Sequence, residues 1–257
     1  MPPIAGHSVL VIGGTSGIGA AVAQLAAAEG LIVSVASSNP RRVQAAVQKI
    51  RDAVPGHSNN IRGFVCDVNH DDAESSLEQL FADVRAASGG QPLDHVVYTA
   101  AASPLDVRPV SEVSARYLRD SVQFSYVVPL LVAKLAPRYV REGCASSLTF
   151  TGGRLGERPA KGMAVVSAWA ASLLGATRGL ALDLAPIRVN LVSPGATDTG
   201  MLRTGEEWVQ RTRMMAETSL LGKIGTPEEV AEAYLYLMRD TNSTGSCVST
   251  NGGALVL

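Results

Sequence analysis

VLVIGGTSGIGAAVAQLAAAEG, residues 9–30, passes from a β-branched apolar segment through a glycine-rich turn into an alanine-rich helical stretch. Gly13, Gly17 and Gly19 fall between the strand and the helix, with Thr15, Ser16 and Ile18 completing the loop. Glycines there permit a tight turn, close approach of backbone to a pyrophosphate and tight helix–strand packing, while the positive end of the helix attracts the phosphate charge. The stretch predicts a dinucleotide-binding βα unit.

The same alternation continues along the chain. Apolar runs HSVLVI, LIVSVA, IRGFVC, DHVVYT, SSLTFT, IRVNLV and SCVST are separated by helical patterns, which predicts βαβ units and a parallel sheet buried on both faces. Asn39 and Pro40 read as N-cap and first helical residue, with Val43, Val47 and Ile50 on one face. Thr226, Pro227 and Glu229 read as a capping box opening a helix that turns Val230, Tyr234 and Leu237 inward. No repeat, low-complexity stretch or linker interrupts the 257 residues, so a single α/β domain, a Rossmann-type doubly wound sheet with helices on both faces, is expected over 1–257. The Met- and Arg-rich stretch 200–222 follows the sixth strand and is expected to act as a lid.

A net charge of −1, with no basic stripe or long like-charge run, argues against nucleic acid and membrane as partners and favours a small molecule. The opening MPPIAGHSVLVIGG lacks a charged leader before an apolar core, so a cytoplasmic protein is expected. Cys66, Cys144 and Cys247 are too few and too dispersed for a disulfide framework, and buried reduced thiols are expected. His7, His57, His70 and His95 lack metal-ligand spacing, and no metal is expected.

The GxxxGxG spacing of the first turn resembles the short-chain dehydrogenase/reductase family, and other segments follow in family order over nearly the whole chain. CDV at 66–68 resembles the segment whose aspartate meets the adenine, which implies roles for Asp67 and Val68. YTAA at 98–101 stands where the family has NNAG, placing Ala100 and Ala101 beside the cofactor. IRVNLVSPGATDT at 187–199 resembles the RVN…PG…T stretch, which implies that Pro194, Gly195, Ala196, Thr197 and Thr199 lie along the nicotinamide and pyrophosphate. NGG at 251–253 replaces the usual DGG. The resemblance also implies a dimer or tetramer packed through long helices at about 113–140 and 163–184.

Cofactor choice rests on the end of the second strand, where a carboxylate would hold an NAD ribose 2′-hydroxyl. VASSNPRR has none: Ser37, Ser38 and Asn39 offer hydrogen bonds and Arg41 or Arg42 offers positive charge to a 2′-phosphate. NADP(H) is the expected cofactor.

The resembled family protonates its carbonyl substrate with a serine, a tyrosine and a lysine, supported by an asparagine. The alignment puts Gly153 at the serine, Val166 at the tyrosine and Ala170 at the lysine, with Gln123 near the asparagine. No tyrosine lies between Tyr139 and Tyr234, so no shift of register restores the acid. Valine and alanine side chains neither donate nor accept protons. A positioned acid is worth ~100- to 10,000-fold, and ordinary ketone reduction should be crippled without it. An iminium is already a cation, so hydride addition to its carbon leaves no oxyanion to protonate. Likewise, a pericyclic closure needs only a held conformer.

The TGG…RP strand exit, LAPIRVN and the MRD-x-N-x-TG ending resemble fungal short-chain-reductase-like proteins of secondary metabolism. Some of these, in prenylated indole alkaloid pathways, reduce an iminium-type intermediate with NADPH and steer an intramolecular Diels–Alder reaction. That group resembles this chain at Trp169 but carries an aspartate where Val166 stands. Trp169 is placed to stack on a flat, apolar or indole-like substrate or to pack against protein. Met201, Trp208, Met214 and Met215 suit an adaptable apolar lid or simple core. Arg154, Arg158 and Lys161 offer an anchor for an acidic group or a solvated loop, and Tyr98, Ser103 and Asp106 are distant candidates for a substitute proton donor. The leading expectation is NADP(H)-dependent reduction of an activated C=N intermediate, with ring formation as an accompaniment. A cofactor-independent or cofactor-templated cyclase and a catalytically inactive NADP(H) sensor are the alternatives.

Overall fold

The computed structural model describes residues 2–102, 106–200 and 208–257. Seven strands form one parallel sheet: β1 (Ser8–Ile12), β2 (Ile32–Ser37), β3 (Ile61–Val65), β4 (His95–Tyr98), β5 (Ser147–Thr151), β6 (Arg188–Pro194) and β7 (Cys247–Thr250). Their order is β3-β2-β1-β4-β5-β6-β7. The chain thus winds outward in one direction, returns to pair β4 with β1, and winds out in the other. That reversal leaves a crevice at the carboxyl ends of β1 and β4, the position where open α/β sheets bind ligands.

Eight α-helices among the described residues cover the sheet: α1 (Gly17–Ala28), α2 (Pro40–Ala53), α3 (Ala73–Ala87), α4 (Ala115–Ser121), α5 (Val128–Tyr139), α6 (Ala164–Asp183), α7 (Trp208–Glu217) and α8 (Pro227–Arg239). Successive strand residues point to opposite faces, so β1 feeds two cores. Val9 and Val11 join Val22 and Ala26 of α1 and Val230 and Tyr234 of α8. Leu10 and Ile12 join Leu77 and Phe81 of α3, Val132 of α5 and Leu173 of α6. Each such large apolar side chain, fully buried, contributes about 1.5–3 kcal/mol. The two expected caps are present. Asn39 Oδ1 accepts from Arg42 N at 3.1 Å, and Thr226 and Glu229 form a reciprocal capping box.

The helix expected over 113–140 is instead three pieces, α4, a π-helical turn Gln123–Val127 and α5. Val127 N donates to Val122 O, five residues back. Pro129 follows at the start of α5 and has no N–H to return to the Ser125 carbonyl, so the α-helical ladder is interrupted there. The helix expected over 163–184 is continuous as α6. It is long and apolar enough to cross a bilayer by composition, and here it is a crossover helix between β5 and β6. Cys66 is buried, whereas Cys247 is half-buried and Cys144 exposed, which corrects the expectation of three buried thiols.

Candidate active site

The glycine turn leaves β1 beneath Ala100. Gly13 has a positive φ of +91°, and a Cβ there would fall 2.6 Å from Ala100 N, closer than atoms tolerate. A Cβ on Gly19 would fall 2.3 Å from Gly13 O and from Thr99 Oγ1, so the first turn of α1 packs directly on the loop. Ser16 caps α1 in an extended conformation without a side-chain bond, and no acidic residue occupies the first turn. The leading N–H groups of α1 therefore lack a side-chain acceptor, the condition under which a helix start binds an anion. Gly17 has a φ of +51°, and a Cβ there would meet Thr199 Cγ2 at 3.1 Å, so the loop after β6 comes against the glycine turn. Thr15, Gly17 and Ile18 are half-buried around that junction.

The other expected cofactor residues lie on the same rim. Ser37 is half-buried at the end of β2, and Ser38, Asn39, Arg41 and Arg42 are exposed beyond it. Asn39 uses its side-chain oxygen as the α2 cap, which leaves the amide nitrogen for a ligand. Asp67 is exposed and accepts from Asn69 N at 3.0 Å, and Val68 is buried beside it. Ala101 is exposed at the end of β4. Pro194 and Thr197 are buried and Gly195, Ala196 and Thr199 half-buried after β6, with Gly195 N donating to Thr250 O at 3.1 Å.

Gln123, expected near a supporting asparagine, spans from the π-helical turn to the segment after β3: its Nε2 donates to Val68 O at 2.8 Å and to His70 O at 3.2 Å. Neither that bridge nor the π-turn has a signature in local sequence, apart from Pro129.

Val166 and Ala170 are buried positions of α6, 4% and 1% exposed, and Trp169 is half-buried beside them. A short 3₁₀ turn, Arg154–Gly156, covers this part of the helix: a Cβ on Gly156 would fall 2.7 Å from the Ala170 carbonyl carbon. Gly153 has extended backbone, and a Cβ there meets nothing within 4 Å. The helix region thus presents no side-chain acid or base at positions 153, 166 or 170.

Of the substitute donors, Tyr98 is a core residue, which corrects its placement beside a substrate. It is 2% exposed, burial pushes its phenol up, and its hydroxyl donates to Phe124 O at 2.9 Å. Asp106 is hydrogen-bonded to Arg108, which holds its carboxyl below the usual range and makes it a poor acid near neutrality. Ser103 and Met201 lie outside the described residues, as do the other residues of 201–207 in the expected lid.

A cavity of about 450 Å³ opens between Ala196, Arg154, Met215 of α7 and the segment Ser249–Ala254, which runs from the end of β7 into the following turn. Met215 lines it, whereas Met214 is 60% exposed and does not, a correction to the expected four-residue apolar lid. Of the three cations after β5, Arg158 is committed to Ala254 O at 3.0 Å, Lys161 is exposed, and Arg154 is on the cavity wall. The wall formed by 249–254 was legible only as the NGG variant of an ending. Its contribution to a cavity depends on residues 219–221 packing against it.

A family model described as an SDR-like Rossmann domain matches residues 3–257. The chain is 50% identical, over the full length of both, to the short-chain dehydrogenase/reductase ATR9 of Stachybotrys chlorohalonatus. It is 36% identical to the short-chain dehydrogenase/reductase malC of Malbranchea aurantiaca, covering 98% of this chain and 95% of that one. The solved structure of MalC, described as a reductase/Diels–Alderase, superposes with a TM-score of 0.91 at 35% identity, covering 99% of this chain and 98% of that one.

Proposed function

The chain belongs to the short-chain dehydrogenase/reductase family, and from that premise we propose that it is an NADP(H)-dependent biosynthetic enzyme of secondary metabolism that reduces an activated C=N intermediate without a tyrosine acid. One combination carries this reading: the Gly13–Gly19 turn keeps side chains away from the start of α1, while Val166 and Ala170 of α6 bear no titratable group. A protein retaining the first and lacking the second is suited to a substrate that needs hydride and no proton.

The residues present fit a dinucleotide. The glycines leave the approach to the α1 N-terminus free of side chains, and Arg41 and Arg42 lie exposed where a 2′-phosphate would end. NADPH, when bound, supplies the hydride. The protein's part is to hold an iminium carbon against it, with Trp169 as an apolar or stacking surface and the stretch 200–222 as a cover that excludes water. Hydride adds to carbon, the C=N π-electrons become the nitrogen lone pair, and no proton is required.

A second reading has its own support, since the MalC structure is described as that of a reductase/Diels–Alderase. In this second reading the cleft of the present chain would hold a diene and dienophile in a reactive conformer, with or without net cofactor consumption. We further propose a homo-oligomer packed through α4–α5 and α6, because only 28% of the apolar window of α6 is buried in one chain.

The test is NADPH oxidation by the purified protein with a cyclic iminium and with a simple ketone. Turnover of the iminium alone supports reduction. Equal turnover of both, or turnover of neither, overturns it, and stereocontrolled cyclised product without NADPH loss selects the second reading.

A further inference from the structure

Arg154 follows Gly153 in the turn after β5, where three of its neighbours are committed. Gly156 lies against the α6 backbone, Glu157 accepts from Ser193 Oγ at 2.7 Å, and Arg158 donates to Ala254 O at 3.0 Å. The Arg154 carbonyl accepts from Glu157 N at 3.0 Å and Arg158 N at 2.8 Å, which fixes the turn. Its guanidinium has no hydrogen-bond or ion-pair partner among the described residues, and it is half-buried on the wall of the 450 Å³ cavity. The cavity's other cation, Lys223, is paired with Glu229, whose second oxygen is held by Thr226 N at 2.9 Å.

Thr250 and Asn251 belong to the same wall. Thr250 Oγ1 and Asn251 Nδ2 are buried without a hydrogen-bond partner, although Asn251 Oδ1 accepts from Gly253 N at 3.1 Å. The lining also includes the apolar Met215, Leu220 and Val230, and the hydroxyls of Thr218 and Ser219 donate to Met215 O and Gly252 O. A wall with an unpaired guanidinium, apolar side chains and no free carboxylate is complementary to an apolar molecule with an anionic end.

We propose that Arg154 is a specificity-determining residue that binds a carboxylate or enolate on an otherwise apolar substrate. This deepens the functional reading above and rests on it for the identification of the cavity's ligand as the substrate. The guanidinium then fixes one end of the molecule while the reacting carbon lies toward Ala196 and the nicotinamide rim.

The experiment is fluorescence titration of the full chain, without NADPH, with an apolar anion, 8-anilinonaphthalene-1-sulfonate, and a neutral apolar probe, N-phenyl-1-naphthylamine. Arg154→Gln is expected to weaken the anion at least about tenfold, the worth of one charge-assisted hydrogen bond, and leave the neutral probe unchanged. Arg154→Lys should keep most of the anion affinity, and Lys161→Gln, the same charge change on an exposed neighbour, should alter neither probe. Absent anion binding by the parent, no effect of Arg154→Gln, or equal weakening by Lys161→Gln overturns the proposal. Because no cofactor is present, failure of iminium reduction would leave this result standing, and loss of the Arg154 dependence would leave the reductase reading standing.

Discussion

Gly156 lies flat on the backbone of Ala170: a Cβ on the glycine would fall 2.7 Å from the alanine's carbonyl carbon and 2.9 Å from its oxygen. The turn after β5 and the helix α6 therefore meet backbone to backbone at the position aligned with the family lysine. Gly156→Ala must push the turn off the helix and is expected to cost about 1–3 kcal/mol, as overpacking does. Gly153→Ser, three residues earlier in open space, should stay within about 0.5 kcal/mol of the parent. Urea denaturation of the two variants distinguishes them.

Restoring the family constellation is the direct check on the alignment. Gly153→Ser, Val166→Tyr and Ala170→Lys together should produce weak ketone reduction, since the missing acid is worth ~100- to 10,000-fold. The measurement is NADPH oxidation with a simple ketone, on a variant shown by its melting curve and NADPH titration to be folded and competent. A folded, cofactor-binding triple variant with no gain would discard the register that pairs Val166 with the tyrosine.

Arg41 and Arg42 begin α2 on exposed positions and follow a β2 end that lacks a carboxylate. Replacing both by glutamine should weaken NADPH at least about tenfold while leaving NADH affinity nearly unchanged, because only the 2′-phosphate uses their charge. Calorimetric titration with both nucleotides reads this, and equal weakening of the two would place the arginines elsewhere than on the phosphate.

Arg188 is 3% exposed and ties three segments together. It donates to Cys144 O at 2.5 Å, Leu237 O at 2.5 Å and Met238 O at 3.1 Å, so it satisfies carbonyls at the end of α8 that have no helical partner. Arg188→Met keeps much of the volume and orphans those acceptors at about 1–3 kcal/mol each where they stay buried. The expected result is a loss of about 3 kcal/mol or more in chemical denaturation. Catalysis by the surviving folded fraction should be unaltered.

His95 is fully buried, with Nδ1 2.9 Å from Ser147 Oγ and Nε2 3.1 Å from His7 Nδ1. Burial, reinforced by His7, pushes it down to about 3 from 6.5. Between those values the unfolded chain binds the proton and the folded one does not, so stability is complete above pH 6.5 and falls as pH drops toward 3, by up to about 1.4 kcal/mol per pH unit. His95→Asn should flatten that slope. Denaturation at pH 5 and 7.5 checks it, and an unchanged slope in the variant would assign the acid sensitivity elsewhere, Asp94 being the nearest alternative. Burial opposes the Asp94 charge, but Ser8 and Arg141 hydrogen bonds hold its carboxyl below the ordinary range, so its contribution is lost only at lower pH.

All seven strands were legible because each is an apolar run between glycine- or polar-rich turns, and burial on both faces makes that signal continuous. The caps at Asn39 and Thr226 were legible for the same local reason. Tyr98 misled because a polar tip at a strand end looks available until α5 and the π-turn close over it. Its hydroxyl is spent on Phe124, 26 residues away, which no local pattern encodes.

The sequence by itself determined the order of elements, the placement of a glycine-rich turn at Gly13–Gly19, the absence of a tyrosine from α6 and the lack of a carboxylate after β2. These follow from residue type and short-range periodicity. Only the tertiary structure decided that Arg154 has no partner among the described residues while Arg158 is committed, that residues 249–254 line a cavity, and that the turn after β5 lies on Ala170. Each of those is a contact between segments separated along the chain. A side chain's availability depends on whether distant carbonyls and carboxylates reach it, which residue identity alone does not specify.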